Sequence, residues 1–342
     1  MLKKTIVLLF ALVLVNLFAR DSFCQIFMLD SESYMITPKD SNEAKTGLTP
    51  IIQKNIPISP ENTKLFLLRA FAQMEAKKYD GAIRDYTNAI ACEATCTEAY
   101  LFRGYLYFQT DRFEESIADY TKAIQYDTTH NAETYINRGN VYEYIRQTDN
   151  AIKDYSTAIK LDSKNPRGYS ARGVAYYQLK NYKAAIEDFS MEIKLDSTSS
   201  AAYYNRGTAK DDLEMYEEAI ADYTKAIAIK PTPVRYANRG LTYHSLRQFD
   251  LAIADYTAAI ALDPTYAIAY NNRGNVKRDL KEYPSAIADF TKAIELEPEY
   301  RGAYFNRGNT LITMGSDGCS DLKKAASLGM PQAREQLQEH CK

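Results

Sequence analysis

Apolar side chains recur along most of the chain at the three- and four-residue spacing of amphipathic helices. Residues 216–229 illustrate this spacing, because their apolar side chains fall on one helical face. These side chains are Ala219, Ile220, Tyr223, Ala226 and Ile227. Ahead of this stretch, Tyr203 and Gly207 stand four residues apart and so share one face of a preceding helix. The pattern therefore predicts helices that occur in pairs.

An Arg-Gly dipeptide marks a regular repeat of these helix pairs. It recurs at intervals of 33 to 35 residues, at Arg103-Gly104, Arg138-Gly139, Arg172-Gly173, Arg206-Gly207, Arg239-Gly240, Arg273-Gly274 and Arg307-Gly308. Arg69-Ala70 stands one unit earlier in the same register. A fixed period of this length is typical of stacked helical repeats. We place eight units at 62–96, 97–131, 132–165, 166–199, 200–232, 233–266, 267–300 and 301–329, followed by a capping helix at 330–342.

The order of large and small side chains within each unit resembles the tetratricopeptide repeat (TPR). One aromatic residue stands four positions before the small residue of the dipeptide, at Phe66, Tyr100, Tyr135, Tyr169, Tyr203, Tyr236, Tyr270 and Tyr304. A second stands sixteen positions after it, at Tyr86, Tyr120, Tyr155, Phe189, Tyr223, Tyr256 and Phe290. The resemblance covers residues 62–329. It implies an all-α, right-handed solenoid of helix-turn-helix (TPR) pairs with a C-terminal capping helix.

The sequence departs from the family pattern in two places. Glu192 stands where the other units have a small residue, and the first four units lack the closing proline. In the repeat, small residues let two helices approach and aromatic rings fill the space between neighbouring pairs. We therefore expect Glu192 to loosen the contact of the fourth unit with its neighbour.

An arginine and an aspartate recur in every unit at a fixed separation. Seven pairs are sixteen residues apart, and Arg307 with Asp321 extends the series across a shorter turn. The seven are Arg69/Asp85, Arg103/Asp119, Arg138/Asp154, Arg172/Asp188, Arg206/Asp222, Arg239/Asp255 and Arg273/Asp289. A catalytic site would gather different groups in one place, so the repetition predicts an ion pair between the two helices of each unit.

An asparagine ladder supplies the candidate binding residues. One asparagine stands two residues before the small residue, at Asn137, Asn205, Asn238, Asn272 and Asn306, and another stands one residue after it, at Asn140, Asn275 and Asn309. Asparagine is unfavourable inside helices, and its amide carries both a donor and an acceptor. The resemblance places these positions in the concave groove, where such a ladder can hold the backbone of an extended peptide. The alternative is that duplication copied a tolerated asparagine that has no binding role.

Other side chains of the same groove divide into an aromatic and a charged half. The aromatic half is Tyr105, Tyr144, Tyr177 and Tyr204, and the charged half is Asp211, Asp212, Arg278 and Asp279. No unit combines the asparagines with the lysines of the carboxylate clamp that chaperone-binding members of the family use. Specific capture of a C-terminal carboxylate is therefore not predicted.

The N-terminus predicts an exported bacterial protein, periplasmic or secreted. Residues 1–24 read as a signal peptide, with Lys3 and Lys4 before an apolar run and small side chains at Ser22 and Cys24 before a cut ahead of Gln25. A retained membrane anchor would need a longer apolar run, and a lipid anchor on Cys24 would need a better lipobox. Residues 25–61, punctuated by prolines, are interpreted as a flexible leader.

Four cysteines remain after the predicted cleavage. They form two local pairs, Cys92 with Cys96 and Cys319 with Cys341, and an even number in an exported chain is typical of disulfides. Three pairings are possible from sequence alone. A zinc site is the alternative, but the two pairs lie far apart in sequence. We therefore predict disulfides and no metal.

Composition and motifs exclude several function classes. The net charge of −2 offers no basic surface for nucleic acid. The sequence shows no phosphate-binding glycine loop, no nucleophile with a matched base and no cofactor motif. We therefore expect a protein that is not an enzyme and that has no membrane span after cleavage. The predicted function is an adaptor whose groove binds an extended segment of a protein partner. The alternatives are a scaffold of an envelope assembly and a non-catalytic accessory subunit of an enzyme complex.

Overall fold

The computed structural model describes residues 56–129 and 131–341. The predicted signal peptide and residues 25–55 of the predicted leader lie outside the described residues. Within the described ranges the chain forms seventeen α-helices and one 3₁₀ turn, Pro60–Asn62, and no strand. The all-α class is therefore confirmed. No helix in this part of the chain is both long and apolar enough to cross a membrane.

The helices fall into two compact units that divide between residues 197 and 198. Unit 1 contains α1 Thr63–Glu75, α2 Tyr79–Cys92, α3 Thr97–Gln109, α4 Phe113–Tyr126, α5 Ala132–Tyr144, α6 Thr148–Leu161, α7 Pro166–Gln178 and α8 Tyr182–Leu195. Unit 2 contains α9 Ser200–Asp211, α10 Tyr216–Ile229, α11 Pro233–Ser245, α12 Phe249–Leu262, α13 Ala267–Asp279, α14 Tyr283–Leu296, α15 Arg301–Thr313, α16 Cys319–Ser327 and α17 Pro331–His340. From α1 to α16, odd-numbered helices are the A helices of the repeats and even-numbered helices are the B helices.

In several repeats a glycine in the A helix lets the aromatic ring of the B helix approach closely. A Cβ atom added to Gly139 would lie 2.5 Å from the ring of Tyr155, and one added to Gly274 would lie 2.7 Å from the ring of Phe290. Both rings are buried. The predicted complementarity between small residues and rings is therefore what packs the two helices of a pair.

The predicted ion pairs are present in all eight repeats and join each A helix to its B helix. In every pair the arginine Nε and Nη2 atoms donate to the two carboxylate oxygens, at 2.6 to 2.9 Å. Six of these arginines also donate through Nη1 to a hydroxyl of the preceding B helix. Those hydroxyls belong to Thr87, Thr121, Ser156, Thr224, Thr257 and Thr291. The guanidinium group thus fixes the helices within a repeat and also links consecutive repeats.

The turn between A and B helices contains a residue in the left-handed region in every repeat. Seven of these residues are not glycine: Lys77, Asp111, Arg146, Lys180, Glu214, Arg247 and Lys281, with φ between 55° and 64°. The eighth turn has Gly315 at φ 75°. A side chain in this region costs about 1–2 kcal/mol, so seven turns carry a conformational cost that glycine would avoid.

Lys180→Gly is therefore expected to raise the free energy of unfolding by about 0.5–1 kcal/mol, the relief of strain less the added entropy of the unfolded chain. Urea denaturation followed by circular dichroism measures the change. The matched control is Lys183→Gly, three residues later inside α8, which should destabilise by about 0.5–1 kcal/mol because glycine is unfavourable in a helix. Equal destabilisation by both variants would contradict the strain argument.

The last repeat is shortened and then capped. The predicted shorter turn is wrong, because the connection between its A and B helices, residues 314–318, is longer than in the other repeats. Arg307 and Asp321 are closer in sequence because α16 begins late and is only nine residues long. Helix α17 packs on α16 through Ala333, which is completely buried against Leu322 and Ala325. The predicted capping helix and the Cys319–Cys341 disulfide are both present.

The predicted disulfide between Cys92 and Cys96 is not formed, and both residues are free thiols in the structure. Cys96 is buried in the core of unit 1 with Phe66 and Phe102. Burial raises the pKa of the Cys96 thiol to about 11. Cys96 is therefore held in the hydrophobic core as a protonated thiol.

Candidate functional site

Side chains of consecutive A helices meet on one surface in each unit, which we call the A-helix face. In unit 2 the contacts include Asn238 Nδ2 to Tyr204 Oη at 2.7 Å and His244 Nε2 to Asp279 Oδ2 at 2.8 Å. The asparagines of the predicted ladder are the sixth and ninth residues of their A helices. The structure places them in three different environments.

Two ladder members are buried. Asn137 is 1% exposed and Asn205 is 0% exposed. Neither side chain reaches the surface, so in this conformation neither can contact a bound peptide. The binding role of these two residues stays a prediction, and it would require the covered sixth position of the A helix to become exposed in those repeats.

Three other members already have hydrogen-bond partners. Asn238 donates to Tyr204, and Asn306 Nδ2 donates to Asn271 Oδ1 at 2.9 Å. Asn140 accepts a hydrogen bond from Tyr155 Oη at 2.9 Å. In two of the three the sixth residue of one A helix bonds the fifth residue of the preceding one. These asparagines hold neighbouring helices together, which gives them a structural role.

The remaining members, Asn272, Asn275 and Asn309, lie in unit 2 and are partly exposed. The Oδ1 atoms of Asn275 and Asn309 are inaccessible to solvent and have no hydrogen-bond partner. Asn272 accepts one bond, from Asn271 Nδ2 at 3.2 Å. A buried polar atom without a hydrogen-bond partner, such as the Oδ1 atom of Asn275 or Asn309, lowers the stability of the fold by about 1–3 kcal/mol. These amides therefore retain hydrogen-bonding capacity that the fold does not use.

Two exposed aliphatic side chains lie on the same A helices, and sequence reasoning missed them. Leu241, the ninth residue of α11, is 47% exposed, and Ile268, the second residue of α13, is 42% exposed. Ile268, Asn272 and Asn275 follow i, i+4, i+7 spacing and so share one face of α13. The sequence does contain a signal for Leu241, since it occupies the position that holds Asn275 and Asn309 in the two following repeats.

The side chains of the predicted aromatic half mostly pack against other aromatic rings. In unit 1 the Tyr144 ring lies 5.3 Å from Phe108 and 4.9 Å from Phe113. Tyr177 contacts the ring of Tyr182 at 5.3 Å, and Tyr105 is buried. These rings therefore contribute to packing, Tyr144 between two repeats and Tyr177 within one.

The predicted charged half links repeats in unit 2. Asp211 accepts a hydrogen bond from Thr242 Oγ1 at 2.6 Å, and burial raises the pKa of its carboxyl group. Arg278 Nη1 donates to Asn306 Oδ1 at 3.3 Å, and Asp279 pairs with His244. The described residues contain no cluster of three or more histidine, cysteine, aspartate or glutamate side chains that could hold a metal ion.

Family models match the repeats that these contacts define. Models described as TPR repeat match residues 147–180 and 240–277. Models described as tetratricopeptide repeat match 200–233 and 267–300, and also 97–130 and 166–196. The chain is a tetratricopeptide repeat protein. No curated protein has a sequence that matches it significantly.

Solved structures share the TPR fold. The C-terminal part of a TPR repeat-containing protein from Cytophaga hutchinsonii superimposes with a TM-score of 0.60 at 18% identity, covering 69% of this chain and 97% of that one. A tetratricopeptide repeat protein from Parabacteroides merdae gives 0.54 at 20% identity, covering 73% and 99%. The Cut9–Hcn1 hetero-tetramer of the APC/C gives 0.53 at 13% identity, covering 91% and 62%. At these identities the likeness establishes the fold of the TPR array.

Proposed function

We propose that this TPR protein is an adaptor that binds an extended segment of a partner protein on the A-helix face of unit 2. The observation that carries the proposal is the pair of unpartnered amide oxygens of Asn275 and Asn309. They are the ninth residues of consecutive A helices, so they repeat along the stack at the spacing of one repeat. An adaptor of this kind needs no catalytic residues of its own.

The chemistry of this surface suits a peptide main chain. The Oδ1 atoms of Asn275 and Asn309 are covered in this conformation, so these partly exposed side chains must turn outward to meet a ligand. A backbone N–H can then donate to each oxygen, and the amide nitrogen of the same asparagine can donate to a backbone carbonyl. Leu241 and Ile268, exposed on the same face, can cover an apolar side chain of the segment. Backbone hydrogen bonds with one apolar contact would select a segment for its extended conformation and only weakly for its sequence.

We also propose that the protein acts outside the cytoplasm, in the periplasm or as a secreted protein. The proposal rests on the signal-like residues 1–24. The Cys319–Cys341 disulfide supports it, because such bonds persist in oxidising compartments and are rare in the cytosol.

The variant Asn272→Ala/Asn275→Ala/Asn309→Ala is expected to lose at least about tenfold in affinity for the partner. Each lost hydrogen bond contributes about 0.5–1.5 kcal/mol, and about 1.4 kcal/mol corresponds to a factor of ten. Affinity capture from an envelope extract identifies the proteins held by the wild type, and a titration with the purified partner gives the dissociation constants.

The matched control is Asn238→Ala/Asn306→Ala, which removes the two paired asparagines. This control should destabilise the fold but leave binding within about twofold, because both amides already bond neighbouring helices. Capture of the same proteins by all three forms would contradict the proposal. That outcome would favour a scaffold that contacts its partners through another surface.

A further inference from the structure

The twelfth residues of the A helices form a row across unit 1. They are Met74, Phe108, Glu143 and Tyr177. The twelfth residue of one A helix meets the thirteenth of the next, as Phe108 meets Tyr144 in unit 1 and His244 meets Asp279 in unit 2. The row therefore lies on the A-helix face. Glu143 is its one charged member, with aromatic residues before and after it in the row.

The Glu143 carboxylate is poorly satisfied. Its Oε1 atom accepts one long hydrogen bond from Thr148 Oγ1, at 3.3 Å, and its Oε2 atom is inaccessible to solvent and has no partner. The arginines of the neighbouring helices are engaged elsewhere, in the pairs Arg103–Asp119, Arg138–Asp154, Arg172–Asp188 and Arg167–Glu133. Burial raises the pKa of the Glu143 carboxyl group.

The position of Glu143 along its helix adds a further cost. It lies in the last turn of α5, which ends at Tyr144. The C-terminal end of a helix carries partial negative charge and disfavours carboxylates. Partial burial, an unpartnered oxygen and the helix end all act against the ionised form. Stability of the free protein therefore gives no reason for a carboxylate here, whereas an approaching positive charge would stabilise the ionised form.

We propose that Glu143, between Phe108 and Tyr177 on the A-helix face of unit 1, binds a lysine or arginine side chain of a partner protein. This inference goes beyond the proposed function, since it names a separate site in unit 1 and the chemistry of the side chain that this site takes. A carboxylate supplies the counter-charge, and neighbouring aromatic faces attract ammonium and guanidinium groups. The carboxylate must turn toward the face to meet its ligand, which the single weak bond to Thr148 permits.

Fluorescence anisotropy with a labelled octalysine peptide at physiological salt tests the proposal. Glu143→Gln should weaken binding about tenfold, as expected for loss of one charge-assisted contact. The matched control, Glu98→Gln, removes an exposed carboxylate from α3 of the same unit and should change the affinity less than about twofold. An unlabelled octaglutamine peptide should not displace the labelled octalysine. Spermine should displace octalysine equally well from Glu143→Gln and from Glu98→Gln.

Thermal melting of the same variants separates binding from a structural role. Because the pKa of Glu143 is raised in the folded protein, its ionisation lowers stability as the pH rises through that pKa. Glu143→Gln should therefore melt higher than the wild type at pH 7, and this advantage should disappear at acidic pH where the wild-type carboxyl is protonated. A variant that is more stable and yet binds more weakly has lost a ligand contact.

Three results would overturn the inference. Octalysine could bind Glu143→Gln as tightly as the wild type, or Glu98→Gln could lose as much affinity, which would indicate general charge attraction. Alternatively, spermine could depend on Glu143 as strongly as the peptide, which would assign the site to a free polyamine. The asparagine variant of unit 2 tests the proposed function independently. If octalysine binding did not depend on Glu143 but partner capture still depended on the unit 2 asparagines, the cation site would be wrong and the adaptor role would stand.

Discussion

Replacing Asp255 with asparagine is expected to lower the free energy of unfolding by about 3 kcal/mol. Asp255 is 5% exposed and accepts two hydrogen bonds from Arg239, at 2.8 and 2.7 Å. The same guanidinium group reaches Thr224 in the preceding repeat at 2.9 Å. Asparagine removes the charge and one of the acceptors. Arg239 then remains in the interior without a counter-charge, which is the costly way to break a buried ion pair.

Two controls define what this variant measures. Arg239→Leu/Asp255→Leu replaces both partners with apolar side chains and should lose much less, because no uncompensated charge is left behind. Glu115→Gln removes the acid of an exposed pair with Arg112, and such pairs contribute less than about 1 kcal/mol. Urea denaturation combined with amide exchange of α11 and α12 gives both the global and the local effect. The argument would be contradicted if Asp255→Asn lowered the free energy of unfolding no more than Arg239→Leu/Asp255→Leu does.

The helix pairs and their ion pairs were predictable from the sequence for a physical reason. Seven repeats use the same pattern of small residue, ring, arginine and aspartate, and the eighth keeps the small residue, the arginine and the aspartate. The copies therefore report on one packing arrangement. Gly139 beneath Tyr155 and Arg239 beside Asp255 are both read directly from spacing. The hydroxyl partners such as Thr224 recur two residues after the aspartate, so this signal was also present in the sequence.

The candidate site was less predictable because identical residues have different neighbours. Asn205, Asn238 and Asn272 hold the same position in consecutive repeats, yet the first is buried, the second is bonded to Tyr204 and the third is partly exposed. The partner of Asn238 is Tyr204, the fifth residue of the preceding A helix, and the residue at that fifth position varies between repeats. Periodicity fixes where a side chain points but does not fix which partner it meets.

Gly318→Ala is expected to destabilise the C-terminal end of unit 2 by about 3 kcal/mol. A Cβ atom on Gly318 would lie 2.1 Å from the carbonyl oxygen of Gly308 and 2.8 Å from its carbonyl carbon. These are backbone atoms, so no side-chain rotation can relieve the clash. The contact exists because α16 starts late, at Cys319, and its first turn lies directly against α15. The added methyl group must therefore separate two helices.

Separating α15 from α16 would also disturb the capping helix α17. Cys319 follows Gly318 and is bonded to Cys341 at the end of α17, and α17 rests on Leu322 and Ala325 of α16. We expect amide protection of α16 and α17 to fall together, while that of α11 and α12 stays unchanged. The matched control is Gly302→Ala within α15, where the new methyl group meets only the movable Tyr300 ring at 3.2 Å. Alanine there should cost less than about 0.5 kcal/mol, since it favours the helix by about 1 kcal/mol. If both glycines tolerated alanine equally, the backbone contact between α15 and α16 would not be what limits this position.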